Sequence, residues 1–496
     1  MEFSWVWLLA ALFVILVVVI LVRTRAAVQT RPPVEPAKLV EVDAEAAAGR
    51  LAALLRVQTI SGGMNPEEVE ITAANHAAFA ALQDQLASFY PHVFASLEIE
   101  LFNTSALLLT WPGTNPELEP VLFAAHQDVV PADPGTLDKW EHAPFAGDVA
   151  DGYVWGRGAL DMKNQLAGLL EAVELLLTRG HTPERTIYLA FGHDEEVGGH
   201  FGASAIAAAL KERGVHLAAV LDEGGVVANG MVPGVDVPVA MIGVGEKGYL
   251  TLELSCEGAA GHSSTPPETT TIGILARAIA RLEAHQMAPR PAAVAPMFLG
   301  LGEAAPYKYR LFFSNLWLFG GLVSSILQGR PQTNAQVRTT TAVTLIAGGL
   351  KDNILPPIAR AGVNFRLLPG DTLENVLVHA RDTINDERVK LRVPPGAGWE
   401  ASPVSSTGTP AFARLYRAIH QVFGDVAVTP YLMLGASDAR HYTPMCSNVF
   451  RFSPVALDEQ EINRIHGLNE RISVSGLGQM VQFFCQMISE WGDGGW

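Results

Sequence analysis

The chain has 496 residues, 49% of them hydrophobic, which is enough for more than one domain and for a sizeable core. Its 34 basic and 51 acidic residues give a net charge of −17, which argues against nucleic acid as a partner and against a basic patch for anionic lipid. Cys256, Cys446 and Cys485 are too few and too far apart for a disulfide framework, so we expect three small buried hydrophobic residues.

An uncharged stretch rich in Val, Leu and Ile, Phe3 to Val22, opens the chain. As a helix it would be ~30 Å long, the thickness of a bilayer core. A cleaved signal peptide is the alternative, but the long run, the acidic Glu2 and the lack of an Ala-x-Ala site favour an uncleaved membrane anchor. Three arginines come shortly after this stretch: Arg23, Arg25 and Arg31. So few basic residues do not decide on which side of the membrane the rest of the chain lies.

Strand-like and helical patterns then alternate along the chain. Helices are predicted at 42–56, 75–90, 166–179 and 202–213, and strands at 97–111, 120–125, 186–192 and 217–221. This alternation predicts an α/β fold, a sheet covered by helices on both faces.

The pattern changes near residue 248. Strands are predicted at 249–257, 339–347, 359–367 and 389–393, with helices at 271–284 and 373–384, which is the β-α-β-β-α-β order of a small ferredoxin-like domain. A helix at 411–423, a strand at 449–454 and a helix at 475–491 return the chain to the first domain. The predicted division is 1–37 (anchor and Pro-rich spacer), 38–247, 248–396 and 397–496.

The smaller domain contains an insertion at about 290–335, and its residues 311–329 are uncharged and apolar. Three interpretations stay open. The segment is a buried helical hairpin, an apolar wall for a lipid-like substrate, or a second membrane span.

Four short motifs with His, Asp or Glu each follow an apolar, strand-like run. They are Ala125-His126-Gln127-Asp128, Gly158-Ala159-Leu160-Asp161-Met162-Lys163, His193-Asp194-Glu195-Glu196 and Leu221-Asp222-Glu223-Gly224-Gly225. Ligands of α/β sheets gather beyond the carboxyl ends of the strands. Imidazole and carboxylate groups without thiolates suit a catalytic zinc or a similar divalent ion.

These motifs can supply two ions with a bridging carboxylate and a bridging water. His126 and Asp222 would hold one ion, Glu196 and His466 the other, and Asp161 would bridge them. Asp128 would orient the imidazole of His126, and Glu195 would act as the general base on the bridging water.

A fifth motif, Gly243 to Gly248, matches G-x-G-x-x-G. A strand follows it rather than a helix, so no helix N-terminus is offered to a pyrophosphate. We expect these glycines to form the hinge between the two domains.

The motifs from Ala124 to Pro131, Gly156 to Lys163 and Gly192 to Glu196 resemble the signature stretches of the co-catalytic zinc metallopeptidases. That family includes aminoacylase, carboxypeptidase S and succinyl-diaminopimelate desuccinylase, and the resemblance covers about 42–491. It implies a zinc-peptidase sheet interrupted by a lid and dimerisation domain. The carboxypeptidase S and N-fatty-acyl-amino-acid synthase/hydrolase branch is the most similar, through the segments at 261–267, 338–342 and 464–470.

The resemblance also implies roles in the lid. His262 would reach into the site of a partner subunit and stabilise the oxyanion, so a homodimer is implied. Asn353 and Arg366 would bind the substrate's carbonyl and carboxylate, and Gly435 belongs to a substrate-binding loop. The implied cofactor is two Zn²⁺ per subunit, for which Co²⁺ or Mn²⁺ would substitute.

The sequence therefore predicts a membrane-anchored amidohydrolase that cleaves an amide next to a free carboxylate. N-acyl amino acids are favoured as substrates, and the same site could also run the reverse condensation. A Gly-X-type carboxypeptidase or dipeptidase on short peptides is the competing enzyme, and a catalytically silent, membrane-tethered binding module is the alternative of another class.

Overall fold

The computed structural model of the chain describes residues 5–27, 33–61 and 73–496. Its α-helices are α1 (Trp5–Ala26), α2 (Ala44–Leu55), α3 (Ala73–Phe89), α4 (Pro91–Ser96), α5 (Lys163–Thr178), α6 (Ala203–Glu212), α7 (Thr271–Ala284), α8 (Ala295–Gly300), α9 (Tyr307–Ser314), α10 (Leu316–Leu327), α11 (Pro331–Val337), α12 (Leu373–Ile384), α13 (Pro410–Phe423), α14 (Glu459–Ile462) and α15 (Val474–Gly492). Glu2, Phe3, Arg31 and Pro32, which entered the sequence predictions, lie outside the described residues.

The strands form four sheets of different size. They are β1 (Glu98–Phe102), β2 (Ala106–Trp111), β3 (Val121–His126), β4 (Asp148–Ala150), β5 (Tyr153–Trp155), β6 (Ile187–Gly192), β7 (Ala219–Asp222), β8 (Val227–Ala228), β9 (Val239–Glu246), β10 (Gly248–Glu257), β11 (Gly261–His262), β12 (Thr340–Gly348), β13 (Ile354–Leu355), β14 (Ile358–Leu367), β15 (Val389–Arg392), β16 (Gly398–Trp399), β17 (Ala427–Met433), β18 (Val449–Arg451), β19 (Ala456–Leu457) and β20 (Arg471–Ser473).

The largest sheet has ten strands in the order β1-β2-β6-β3-β7-β18-β9-β8-β19, with β17 beside β9. Along β2, Leu107 and Leu109 join a core with α2, α5 and α15, whereas Ala106 and Leu108 join a second core with α6. Side chains of a strand alternate between its two faces, so both faces of this sheet are covered. The predicted α/β class is confirmed. The three cysteines are buried and free, as expected.

The direction of the central strands decides where the site lies. β3 runs parallel to both β6 and β7, so their carboxyl ends meet at one edge of the sheet. His126 is the last residue of β3, and Asp194 to Glu196 follow β6 directly. Three of the motifs therefore meet at this edge, as the sequence predicts.

A second, five-stranded sheet has the order β12-β14-β10-β15, with β16 beside β10, and it packs on α7 and α12 around its own core. Along β10, buried and half-buried residues alternate, which fits a sheet with one face on a core. The elements follow each other in the predicted order. Their role as a lid and dimerisation domain stays a prediction.

Four strands of the large sheet were not predicted: β8, β9, β17 and β19. Pro430 lies inside β17 and argues against a strand, but β17 pairs with β9 alone and is thus an edge strand, where a proline is tolerated. The hinge expected of Gly243 and Gly245 is wrong, because both lie inside β9. A Cβ on Gly243 would lie 2.9 Å from the Cβ of buried Arg451, so that glycine is required by a close approach.

The insertion folds into α8 to α11, and α9 and α10 meet at an angle of 115°. The inner side of this hairpin forms a small core that includes Val294, Phe313, Val323, Leu327 and Val337. Of the described helices, α1 alone is long and apolar enough to cross a bilayer, while α9 and α10 reach that limit only as a bent pair.

Candidate metal centre and substrate cavity

The side chain of Asp161 joins two histidines that are far apart in the sequence. Its Oδ1 lies 3.0 Å from Nε2 of His126, and its Oδ2 lies 3.0 Å from Nε2 of His466. Glu196 approaches the second imidazole, with Oε2 at 3.1 Å from Nε2 of His466. One carboxylate thus faces two imidazoles, as a bridging ligand must.

Asp128 ties the first histidine to the turn after β6. Nδ1 of His126 lies 3.0 Å from the carbonyl oxygen and 3.2 Å from Oδ1 of Asp128, so the proton on Nδ1 is held there and Nε2 faces Asp161. The same carboxylate accepts hydrogen bonds from the backbone N–H of Glu195 at 3.2 Å and of Glu196 at 3.1 Å. Asp128 is completely buried, which makes this arrangement rigid.

Glu223 is a member of the cluster that the sequence analysis missed. Its Oε1 lies 3.5 Å from Nε2 of His126, and the ligand atoms of His126, Glu195 and Glu223 lie within 4.8 Å of one another. Asp222 belongs to neither group of candidate ligands found among the described residues, and its Oδ2 is buried without a hydrogen-bond partner there. Burial raises the pKa of Asp222 and the charge of His126 opposes that rise, so this carboxylate also lies near His126.

The donor set suits a cation. Three carboxylates and two imidazoles converge: Asp161, Glu196, Glu223, His126 and His466. Burial raises the pKa of Glu223 well above its usual range, and the neighbouring carboxylate of Asp161 raises it further. Such mutual repulsion is relieved by a bound metal ion, and nitrogen and oxygen ligands without sulfur suit Zn²⁺, Co²⁺ or Mn²⁺.

Glu470 supports the bridging residue from behind. Its buried carboxylate accepts hydrogen bonds from the backbone N–H groups of Gly158, Leu160 and Asp161 at 3.0, 2.7 and 3.1 Å, and from Nη1 of Arg157 at 2.6 Å. The loop that carries Asp161 is therefore fixed to the segment that carries His466. Glu470 belongs to the motif from Arg464 to Glu470, but the sequence analysis gave a role in that motif to His466 alone.

The backbone of His466 is itself unusual. Its φ is 58°, in the left-handed region that a residue with a Cβ rarely adopts. Such conformations persist where the surroundings fix them, and they concentrate at functional sites.

The cluster opens into a cavity of about 910 Å³ between the two larger sheets. Arg366 lies on its wall with the guanidinium carbon 4.8 Å from the ring centre of Tyr249, and Tyr249 stacks on Trp399 at 4.6 Å between ring centres. Arg440 covers the other side of Trp399 at 4.6 Å. This stack holds two guanidinium groups at the wall, where they can receive a carboxylate.

The rest of the wall is largely apolar. Leu345, Pro394, Pro395 and Met433 line it, together with the backbone of Gly435. None of the described residues between 290 and 335 does so, and the interpretation of the insertion as a substrate wall, one of the three left open, finds no support in this cavity.

His262 and Asn353 lie apart from the cavity of their own subunit. Both are exposed, and they are linked through the short β11–β13 ribbon, in which the N–H of Ser263 donates to the carbonyl of Asn353 at 3.1 Å. Neither is among the residues that line the cavity.

A sheet with a carboxylate and histidine cluster at its carboxyl edge, covered by a second sheet, defines a metallohydrolase of the zinc-peptidase class. The model of peptidase family M20/M25/M40 matches residues 122–490, and the chain belongs to this family. It is therefore an enzyme of a metal-dependent family of peptidases and amidohydrolases. The alternative of a catalytically silent binding module does not agree with this membership.

Curated relatives and solved structures agree with this assignment. The N-fatty-acyl-amino acid synthase/hydrolase PM20D1 of Xenopus tropicalis is 42% identical over 88% of this chain and 83% of its own, and the probable carboxypeptidase S-like 2 of Dictyostelium discoideum is 38% identical over 89% and 84%. The M20 metallo-carboxypeptidase of Sulfolobus solfataricus has the same fold, with a TM-score of 0.63 and 17% identity over 90% of this chain and 99% of its own.

Replacing Glu470 by Ala will leave the guanidinium of Arg157 buried and unpaired. We expect the free energy of unfolding to fall by about 3–5 kcal/mol and zinc affinity to fall about 10- to 100-fold, because the loop of Asp161 loses its support. Denaturant unfolding and competition with a zinc dye measure the two effects. Glu100→Gln, which breaks the exposed pair with Arg213, is the matched control and should cost about 1 kcal/mol or less. Unchanged zinc affinity in Glu470→Ala would contradict the supporting role.

Metal binding should release protons. Hydrogen bonds to Asp161 and Glu196 raise the pKa of His466 to about 10 in the metal-free chain, so its imidazole is protonated at pH 7 and must lose that proton to bind metal. The same contacts stabilise the metal-free fold fully below pH 6.5, and that contribution is lost as the pH rises through about 10.

Affinity for zinc should consequently rise by up to about tenfold per pH unit between pH 7 and 9 for this single proton. Calorimetry in buffers of different ionisation enthalpy measures the release, and His466→Gln should release one proton fewer. An enthalpy of binding that is the same in every buffer would contradict this assignment.

Proposed function

We propose that the chain is a two-zinc amidohydrolase that cleaves the amide bond next to a free carboxylate, with N-acyl amino acids as its favoured substrates. One observation carries this proposal. The carboxylate and histidine cluster opens into the same cavity as Arg366, and an apolar wall follows. A charged head, an amide and an apolar tail would each meet a matching surface there.

In this proposal Glu223 takes the place that the sequence analysis gave to Asp222. His126 and Glu223 would hold one zinc ion, Glu196 and His466 the other, and Asp161 both. The proximity of Glu223 to His126 supports this assignment. Zinc bound there would act as a Lewis acid toward the amide carbonyl and would lower the pKa of water.

Glu195 is the proposed general base. Burial raises the pKa of its carboxyl group well above the usual range, with the charge of Asp438 as a further cause. A carboxylate with a raised pKa suits proton transfer near neutral pH. Glu195 would take a proton from the attacking water and deliver it to the nitrogen of the leaving amino acid.

Arg366 is proposed to bind the substrate's carboxylate. Arg366 is half-buried, and the contact of its guanidinium group with the ring of Tyr249 orients it. No hydrogen-bond acceptor of the described part of the chain occupies it, so its N–H groups are free for a bidentate contact with a carboxylate.

Two relatives support different substrates. The similarity to N-fatty-acyl-amino acid synthase/hydrolases supports acyl substrates and the reverse condensation, whereas the similarity to carboxypeptidase S-like proteins supports short peptides. The wall formed by Leu345, Pro394, Pro395 and Trp399 favours an acyl chain, because it offers few partners for a peptide backbone.

Replacing Glu195 by Gln should lower kcat about 10²- to 10⁴-fold, because the amide cannot take up the proton. Zinc content should stay at the wild-type level, as measured by elemental analysis of the purified protein. Glu212→Gln, on the exposed end of α6, serves as the control and should keep full activity. Wild-type turnover by Glu195→Gln would remove this residue from the mechanism.

A substrate panel tests the preferred class. We expect kcat/KM for long-chain N-acyl amino acids to exceed that for dipeptides by about tenfold or more, equivalent to about 1.4 kcal/mol of extra transition-state binding. The opposite order would establish the carboxypeptidase alternative.

Arg366→Met provides the control within the same panel. It should lower kcat/KM for substrates with a free carboxylate by about 10- to 100-fold. The kcat/KM for the corresponding primary amides should change little, because only the charged contact is lost. Arg360→Met lies on the same strand with its side chain exposed and should have no effect.

The exposed position of His262 supports the implied homodimer, in which this histidine would serve the partner's site. His262→Ala and Glu195→Gln should each be nearly inactive alone. Mixed after reversible dissociation, they should regain about a quarter of wild-type activity, because half of the dimers then contain one complete site. No regain on mixing, with dimers shown to exchange, would place His262 outside the mechanism.

A further inference from the structure

Helix α10 carries large apolar residues beyond the side that faces the core of the insertion. Its inner side, with Val323 and Leu327, belongs to the core of the insertion. Its outer side carries a stripe of large exposed residues, defined here as the α10 stripe: Trp317, Leu318, Leu322 and Ile326, which are 43–63% exposed. In the described ranges nothing covers this stripe. A group of exposed large apolar residues of this kind marks a contact with another protein or with lipid.

The N-terminus of α10 meets the carboxyl end of the membrane-spanning candidate α1. Asn315 donates a hydrogen bond from Nδ2 to Oγ1 of Thr24 at 3.1 Å, and Arg23 donates one from Nε to the carbonyl of Ser314 at 3.2 Å. Thr24 is the one buried residue of α1, and Asn315 is completely buried. Removal of α1 by a signal peptidase would expose these polar groups, so the contact supports an uncleaved helix.

The charge around the α10 stripe is the reverse of that of the whole chain. No Asp or Glu occurs from Ala304 to Lys351, although the chain contains 51 of them. Basic residues stand before and after α10 in the sequence and at the end of α1, and they are defined here as the basic rim: Lys308 and Arg310 on α9, Arg330 after α10, and Arg23 and Arg25 on α1. A basic rim around an apolar stripe complements anionic headgroups above acyl chains.

We propose that α10 lies in the membrane interface beside the anchor α1, with the α10 stripe among the acyl chains and the basic rim at the lipid phosphates. At 12 residues, α10 is ~18 Å long and too short to cross ~30 Å of hydrocarbon. Trp317 at its start suits the interface. The insertion is thus a second membrane contact, which fixes the orientation of the catalytic body.

The charge of the basic rim favours lipid over a second copy of the chain as the partner of the α10 stripe. A two-fold symmetric contact through the α10 stripe would bring two basic rims together, and like charges oppose such pairing. Anionic lipid removes this repulsion.

The test measures the depth of α10 in full-length protein reconstituted into phosphatidylcholine and phosphatidylserine vesicles. Sedimentation with vesicles is uninformative, because α1 alone would attach the chain. Leu322→Cys and, separately, Ile326→Cys are labelled with an NBD fluorophore, and Leu101→Cys, exposed on β1, is the matched control. The native cysteines are buried, so labelling of the unsubstituted chain should be negligible.

Both α10 labels should emit at shorter wavelength than the control, and acyl-chain spin-labelled lipid should quench them several-fold more strongly. Water-like emission with quenching equal to that of Leu101→Cys would overturn the proposal. A blue-shifted but unquenched label, with Leu322→Cys crosslinked between copies by a bis-maleimide, would also overturn it and assign the stripe to a second copy. Zinc binding by each variant shows that the fold is intact.

Discussion

The carboxylate of Asp161 is the constraint on which the rest of the site depends. One of its oxygens lies 3.0 Å from His126 at the end of β3. The other lies 3.0 Å from His466, in a loop far along the chain. Holding several carboxylates around these two imidazoles costs electrostatic energy, and the fold offsets that cost with hydrogen bonds. Asp128 fixes the ring of His126 and the turn of Glu195, while Glu470 fixes the loop of Asp161.

The two larger sheets supply different parts of the site. The ten-stranded sheet presents the candidate ligands, since the parallel strands β3, β6 and β7 end at one edge. The five-stranded sheet contributes Arg366, Tyr249 and Leu345, so in the proposed function recognition of the substrate's head and tail would be separated from the chemistry at the amide. Relatives with different substrates can therefore share one ligand cluster and differ in the wall.

The proposed membrane contact would divide two roles in the same way. α1 would attach the chain, and the α10 stripe would set how the body stands on the bilayer. The buried contact between Thr24 and Asn315 joins the two, which places the apolar insertion at the anchor rather than at the cavity. Of the three interpretations of the insertion, the structure agrees with the helical hairpin, which packs around a small core of its own away from the described wall of the cavity.

The sequence by itself determined the α/β class, the order of most strands and helices, and the motifs that gather around His126, because periodicity and strand ends are local properties. It named Asp222 as a ligand and gave no role to Glu223, since the distance of each carboxylate from His126 depends on the contacts of the folded chain. It gave no role to Glu470, no strand at Pro430, and no partner for Thr24. Each of these depends on a contact with a segment distant in the chain, and only the tertiary structure brings those segments together.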